Sequence, residues 1–249
     1  VPSPELQGLI LAGGEGSRLL ADGVRVPKPL ARVAGRPQIM HLVSVLEGLG
    51  CPTVTCLVRD EFPAVVEELV RGRWRTSVRV HVCHTPSSLH TLVEGLAQVP
   101  LGAVFATMVD TVMRPEDWRT VFDRAGAGLA AGADAVVAVT PFVDDEAALY
   151  VSVDAGERVR RFSDRPLEPA CVTGGVYAFA AGTRPLALEA VDAGTSRMRN
   201  FLSGLVERGL LVRAVPVERI IDLDRLSDLE AANAWLDTLG TRARDRSAS

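Results

Sequence analysis

Leu11-Ala-Gly-Gly-Glu-Gly-Ser-Arg-Leu19 closes the apolar run Leu6–Ala12, and its reading decides the fold of this 249-residue chain. A strand that breaks into glycines is where phosphate-binding loops sit in open α/β sheets. Gly13, Gly14 and Gly16 carry no side chain, so backbone N–H groups along the turn can approach and cradle an anion. No Gly-Lys-Ser/Thr closes the loop, so it is not a Walker A motif. Leu19 stands where a dinucleotide fingerprint needs its third glycine, and no acidic residue sits at a convincing ribose position, which argues against a dehydrogenase. Downstream the chain reads Val26-Pro-Lys-Pro-Leu30, with Lys28 twelve residues after Gly16, and Lys28 is the single lysine among 27 basic residues. A composition that uses arginine everywhere else has kept one compact ammonium. A planar guanidinium cannot replace a point charge on a flexible stem in a narrow phosphate site. Arg18 and Lys28 together place two cations where a triphosphate would lie.

Outward from the loop, short β-rich runs alternate with segments of helical period, the pattern of a parallel sheet with crossover helices. Strands are expected at Leu6–Ala12, Thr53–Val58, Val78–Cys83, Ala103–Val109 and Ala135–Thr140. Helices are expected at Pro37–Leu49, Phe62–Arg73, Ser88–Gln98 and Pro115–Arg124. From Leu149 the character changes: Tyr150–Val153, Val159–Phe162 and Val172–Phe179 read as strands joined by turns, antiparallel or mixed. Helices near Pro185–Val191 and Met198–Arg208, a strand Leu211–Val215, a short run Arg219–Leu223 and a helix near Ser227–Leu239 complete the chain. The expected fold is α/β: a Rossmann-like, mostly parallel sheet flanked by helices, with a small mixed-sheet part. We expect one domain over 1–240, with a nucleotide half to about 140, an acceptor half from 141, and a polar, flexible tail over 241–249.

A formal net charge of −4 gives no electrostatic case for nucleic acid or an anionic membrane as partner. No apolar run reaches the ~18–20 residues that span a bilayer, and Val1-Pro-Ser-Pro-Glu-Leu-Gln7 lacks the basic and apolar regions of a secretory leader. Cys51, Cys56, Cys83 and Cys171 form no Cys-x-x-Cys pair, so buried free thiols in a reducing cytoplasm are expected. No two histidines stand at i, i+4 as in His-Glu-x-x-His, which argues against a histidine-bound catalytic metal.

Leu11–Leu19 followed by Pro27-Lys-Pro-Leu30 resembles the signature of the sugar-1-phosphate nucleotidyltransferases (nucleotide-sugar pyrophosphorylases), whose loop reads Leu-Ala-Gly-Gly-x-Gly-Thr-Arg-Leu before Pro-Lys-Pro-Leu. Ser17 keeps the hydroxyl of the family's threonine. The resemblance runs in order through about residue 236 and implies a GT-A-like nucleotidyltransferase fold. It assigns Leu11, Ala12, Gly13, Gly14, Gly16 and Ser17 to the nucleotide, and Arg18, Lys28, Asp110 and Asp222 to catalysis. Asp110 and Asp222 would be the ligands of a Mg²⁺ ion. Val109 stands where the family has glycine before the aspartate. Arg219–Leu229 resembles the family's closing aspartate segment, in which Asp222 is the metal ligand. A helix cap or turn residue is the competing reading for Asp222, and Asp224 and Asp228 fit the start of the last helix better.

Arg161-Phe-Ser-Asp-Arg-Pro166 resembles the family's Glu-Lys-Pro segment, putting Asp164 and Arg165 at the acceptor; a surface charge pair is the alternative. Val172–Phe179 resembles its Asn-Ala-Gly-Ile-Tyr-x-Phe strand, putting Thr173 and Gly174 there; a plain β-bulge is the alternative. Thr85–Leu92 falls where the family reads the base, so Thr85 and Ser88 are base-loop candidates, although Ser88 equally suits a helix N-cap. The partners implied are a nucleoside triphosphate and a small phosphorylated acceptor, with room for a homo-oligomer. The product would be an NDP-sugar or its cyclitol counterpart. Because the base loop departs from the family, a cytidylyltransferase for a non-sugar phosphate or phosphonate is the rival reading. A catalytically silent nucleotide-sugar-binding regulator is the rival outside enzymes.

Overall fold

In β1 (Gln7–Ala12) successive side chains go to opposite faces: Ile10 enters one apolar cluster, Leu9 and Leu11 the other. Both faces are therefore covered, and the strand reads as a continuous apolar run rather than an alternating one. The computed structural model of the chain describes residues 4–142 and 148–247, and side chains as far as residue 239. After β1 come α1 (Ser17–Ala21), a 3₁₀ turn (Lys28–Leu30), the β2–β3 ribbon (Arg32–Val33, Arg36–Pro37) and α2 (Gln38–Leu49). β4 (Thr53–Arg59), α3 (Pro63–Arg71), β5 (Ser77–Cys83), α4 (Ser88–Gln98) and β6 (Val104–Met108) follow. Next are β7 (Thr111–Val112), α5 (Pro115–Ala130), β8 (Ala135–Thr140), β9 (Leu149–Val153), β10 (Val159–Ser163) and β11 (Val172–Phe179). α6 (Thr183–Asp192), α7 (Met198–Glu207), β12 (Val212–Pro216), β13 (Ile221–Asp222) and α8 (Leu226–Ser247) end the fold.

β5, β4, β1 and β6 pair in parallel in that order; β11 lies antiparallel to β6 and to β8, and β12 is parallel to β8. β9 pairs antiparallel with β10 and β11, within the antiparallel or mixed expectation, and all three belong to the nine-stranded sheet. Strand β11 makes the join. Its end at Val172 and Thr173 pairs with β9, its other end pairs with β6, and its register against β8 breaks between Thr173 and Tyr177. Gly175 sits in that break at φ 70°, where a Cβ would lie 2.5 Å from the Thr111 hydroxyl.

One layer, with α2 and α5, buries Leu42, Leu46 and Trp118; the other, with α4 and α7, buries Leu89, Leu92, Phe201 and Leu202. A third, small cluster of Val33, Val112, Ile221, Leu223 and Ala232 pins β7, β13 and α8 together. The backbone of α8 is helical through Ser247, beyond residue 241, where the sequence suggests a flexible tail; residues 248 and 249 lie outside the described residues. Among the described residues no helix is long and apolar enough to cross a membrane.

All four cysteines are free. Burial pushes the Cys51 and Cys56 thiols up to about 12, and raises those of the partly exposed Cys83 and Cys171. A thiolate is the reactive form, so a thiol reagent at pH 8 should titrate at most Cys83 and Cys171 in native protein and all four after unfolding. Rapid native reaction at Cys51 or Cys56 would contradict the packing of β4.

Candidate active site

The carboxyl ends of β1, β4, β5 and β6 open onto one face, where ligands bind in sheets of this type. The loop after β1 turns at Gly16, whose φ of 65° suits glycine. A Cβ on Gly16 would lie 2.8 Å from the Lys28 Cβ, so the lysine stem passes directly over that α-carbon. Pro27 and Pro29 bracket Lys28, and the Leu30 N–H donates to the Pro27 carbonyl at 2.7 Å. The turn thereby aims the side chain inward. Gly16→Ala should lower turnover by roughly 10–100-fold through displacement of Lys28, with folding retained by circular dichroism; wild-type turnover in a folded variant would show that this contact is unimportant.

Lys28 is buried, and its Nζ donates to Asp110 Oδ2 at 2.6 Å and to Asp224 Oδ1 at 2.7 Å. Arg18 NH1 reaches the other Asp224 oxygen at 2.9 Å. Burial alone would lower the Lys28 pKa, but the Asp110 and Asp224 carboxylates outweigh it and hold the ammonium well above its usual range. Asp224, which the sequence suggests is a helix-start charge, thus lies against Lys28 and lines the same cleft as Asp110. Asp228 does act there, its carboxylate accepting from the backbone N–H groups of Asp224 at 3.0 Å and Arg225 at 2.7 Å. The signal for Asp224 was the order Asp222-Leu223-Asp224, in which a fully buried leucine separates two acids.

Asp110 and Asp222 are brought together by a two-residue ladder, in which Asp222 pairs with Thr111 and the Leu223 N–H donates to the Asp110 carbonyl at 3.0 Å. The turn between β6 and β7 is fastened by Gln38, whose amide donates to the Thr111 carbonyl at 2.9 Å, and by the Thr111 hydroxyl on the Gly174 carbonyl. Val109 is buried in the core and has no positive φ, so this backbone does not require the family's glycine.

Two clefts flank this charged centre. One, of about 460 Å³, is lined by Leu11, Gly13, Gly14, Gly16, Ser17, Thr85 and Ser88 among others; Ala12 is buried in β1 beside it. Arg59, absent from the sequence reading, braces it. Its guanidinium donates to the Gly13 carbonyl at 3.2 Å and forms a two-pronged pair with Glu61 at 2.5 and 2.9 Å. The Thr91 hydroxyl donates to the Ser87 carbonyl, so the 2.6 Å bond between Thr85 and Thr91 has Thr85 as its donor.

The second cleft, of about 420 Å³, is lined by Arg18, Asp110, Thr173, Gly175, Tyr177, Arg197, Arg199, Asp222 and Asp224. Gly174 lines the neighbouring cavity beside Thr173. The Thr173 Oγ1 is buried and has no hydrogen-bond partner among the described residues. Tyr177 is largely buried at the cleft wall, and burial together with the Asp222 and Asp110 charges raises its phenol pKa, keeping it a donor. Arg165 does not line this cleft; it is exposed, its N–H held by Ser163 Oγ at 3.0 Å. Asp164 is exposed and pairs with Arg199. The cations on the cleft come instead from Arg197 and Arg199 at the start of α7, which the resemblance did not single out.

The glycine-loop pocket and the arginine-lined cleft share Ser88 and Met108, and Asp110 and Asp224 line the cleft. The MobA-like NTP transferase domain matches residues 8–192, most of the chain. The chain belongs to that family. The solved structure of an inositol-1-phosphate CTP transferase from T. maritima superposes with a TM-score of 0.75, covering 91% of this chain and 92% of that one at 17% identity. At that identity the likeness establishes the fold alone. A CMP-5'-(3-aminopropyl)phosphonate synthase from Streptomyces rubellomurinus is 37% identical over 81 residues, 32% of this chain and 13% of that protein. A 2-C-methyl-D-erythritol 4-phosphate cytidylyltransferase from Nitrosomonas eutropha is 25% identical over 159 residues, 63% of this chain and 62% of that protein. The matches thus span less than two thirds of either relative's length.

Proposed function

We propose that this protein is a Mg²⁺-dependent nucleotidyltransferase that joins the NMP part of a nucleoside triphosphate to a sugar-1-phosphate or cyclitol phosphate. The observation that carries the reading is Lys28, buried against Gly16 of the glycine loop and bonded to Asp110 and Asp224, two aspartates that line the arginine-lined cleft. An oxygen of the acceptor phosphate attacks the α-phosphorus, the bond from the α-phosphorus to the bridging oxygen breaks, and pyrophosphate leaves. The acceptor phosphate is already anionic, so no side-chain nucleophile is needed. Catalysis then consists of positioning and stabilising a charge-rich transition state.

Loop N–H groups and Arg18 would hold the β- and γ-phosphates, and Lys28 would steady the reacting phosphates. Arg197 and Arg199 would take the acceptor phosphate, a role the sequence reading gave to Arg165. The unpartnered Thr173 hydroxyl and the Tyr177 phenol would meet acceptor hydroxyls. Asp110 and Asp222 fit Mg²⁺: they are hard oxygen donors brought together across one ladder, and this ion needs only one or two carboxylates besides phosphate oxygens and waters. When bound there, Mg²⁺ supplies charge neutralisation across the reacting phosphates.

The names of the two cytidylyl-transferring relatives and the altered loop at Thr85–Ser88 favour a second reading, transfer from CTP to a non-sugar phosphate or phosphonate. Pyrophosphate release with Mg²⁺, crossing ATP, CTP, GTP, UTP and dTTP with sugar-1-phosphates, a cyclitol phosphate and phosphocholine, tests both. Release with a sugar or cyclitol phosphate supports the first, and release with CTP and phosphocholine alone the second. Nucleotide binding with silence across the grid would sink both in favour of a regulator.

A further inference from the structure

Serines at the start of a helix ordinarily cap that helix with their own hydroxyls. Those at the start of α4 do not: its N-cap residue, Ser87, makes no side-chain cap bond. Its hydroxyl donates to the Ser196 carbonyl. That hydroxyl has one proton, so His90 Nδ1, 2.8 Å from it, must be the donor in their bond. Ser88 Oγ in turn accepts from the Met198 N–H at 3.2 Å. Met198 is the first residue of α7, and α7 has no side-chain cap of its own among the described residues. Its first N–H, one of the donors every helix leaves unsatisfied, is therefore capped by the first residue of α4. Ser88 also lines both clefts.

We propose that Ser88 is a positioning residue that sets the acceptor-binding arginines from the nucleotide side. Its hydroxyl fixes the first turn of α7, whose flanking residues Arg197 and Arg199 face the acceptor cleft. Asp164, in the bend after β10, pairs with Arg199, so the arginine is held from two sides. A nucleotide that presses on the Thr85–Ser88 loop moves or steadies the start of α7 through this bond. The inference rests on the acceptor role proposed for Arg197 and Arg199, and it separates Ser88 from direct base reading.

Two measurements on Ser88→Ala and Ser88→Thr test it. In steady-state pyrophosphate release, Ser88→Ala should raise the acceptor KM about three- to tenfold, the scale of one hydrogen bond. The triphosphate KM should change less than about twofold, and Ser88→Thr, which keeps the hydroxyl, should restore the acceptor KM. An unchanged acceptor KM, an equal rise in both constants, or failure of threonine to rescue would each overturn the proposal. Hydrogen exchange of the peptide covering residues 196–200 gives a readout independent of turnover. Each of the five triphosphates is added with Mg²⁺, and the one that binds should slow exchange there in wild type and Ser88→Thr but not in Ser88→Ala. Exchange that responds equally in all three proteins overturns the link. If wild type releases no pyrophosphate yet shows the Ser88-dependent protection, the enzymatic reading fails and the link stands.

Discussion

Lys28→Met should lower turnover at least ~100-fold, the scale seen when a preorganised electrostatic donor is removed from a reacting centre. Methionine keeps most of the stem that crosses Gly16 and removes only the charge. What is lost is the ammonium that holds Asp110 and Asp224 together at 2.6 and 2.7 Å. Removing one partner of a buried ion pair costs about 3–5 kcal/mol, and the one-third exposure of Asp224 brings the cost here toward the lower end. Lys28→Arg should not rescue, because a broad fork does not fit a pocket shaped around one ammonium. The wild-type lysine has its folded pKa raised above 10.5. Its contribution to stability is then fully present below 10.5 and lost only as pH rises through the folded value. Thermal melts of wild type and Lys28→Met should therefore stay a constant interval apart from pH 6 to pH 9. A folded Lys28→Met with wild-type turnover removes Lys28 from the mechanism.

Asp110→Asn is the second large effect, again at least ~100-fold in turnover, but with a different signature. The amide keeps the size of the side chain, and Lys28 retains Asp224, so the melting temperature should move less than for Lys28→Met. If Asp110 and Asp222 hold Mg²⁺, either asparagine variant should need a higher Mg²⁺ concentration for half-maximal rate, because a carboxylate ligand has become neutral. Asp224→Asn, two residues beyond the ladder and bonded to Lys28 and Arg18, should lower turnover without that shift. Titrations of rate against Mg²⁺ for the three variants separate these roles. An unshifted Mg²⁺ dependence in both Asp110→Asn and Asp222→Asn would take the ion away from this pair.

The parallel strands were legible because Thr53–Arg59 and Val104–Met108 are short β-rich runs of mostly apolar and threonine residues between turn residues. Helix α4 was legible from the spacing of Leu89, Leu92 and Leu96 on its buried face. The ladder of Thr111–Val112 on Ile221–Asp222 was not, since two residues give no periodicity, although this pairing joins Asp110 to Asp222. Local sequence marks Asp224 as a helix-start charge because it cannot show a lysine arriving from residue 28. The resemblance points to Arg165, while Arg197 and Arg199 line the cleft, for a related reason. In a chain whose cations are nearly all arginine, residue type does not mark the one facing a cleft; the turn into α7 does. Ser88 carried an N-cap signal, but its hydroxyl serves a helix far along the chain.

Label transfer tests the central claim most directly. The productive triphosphate, supplied either α-³²P- or γ-³²P-labelled, is incubated with its acceptor, Mg²⁺ and wild-type protein, with Lys28→Met in parallel. Nucleotidyl transfer predicts that the α label appears in the acceptor conjugate and the γ label in pyrophosphate, both strongly reduced in the variant. Finding the γ label on the acceptor, or equal transfer by wild type and Lys28→Met, would contradict it.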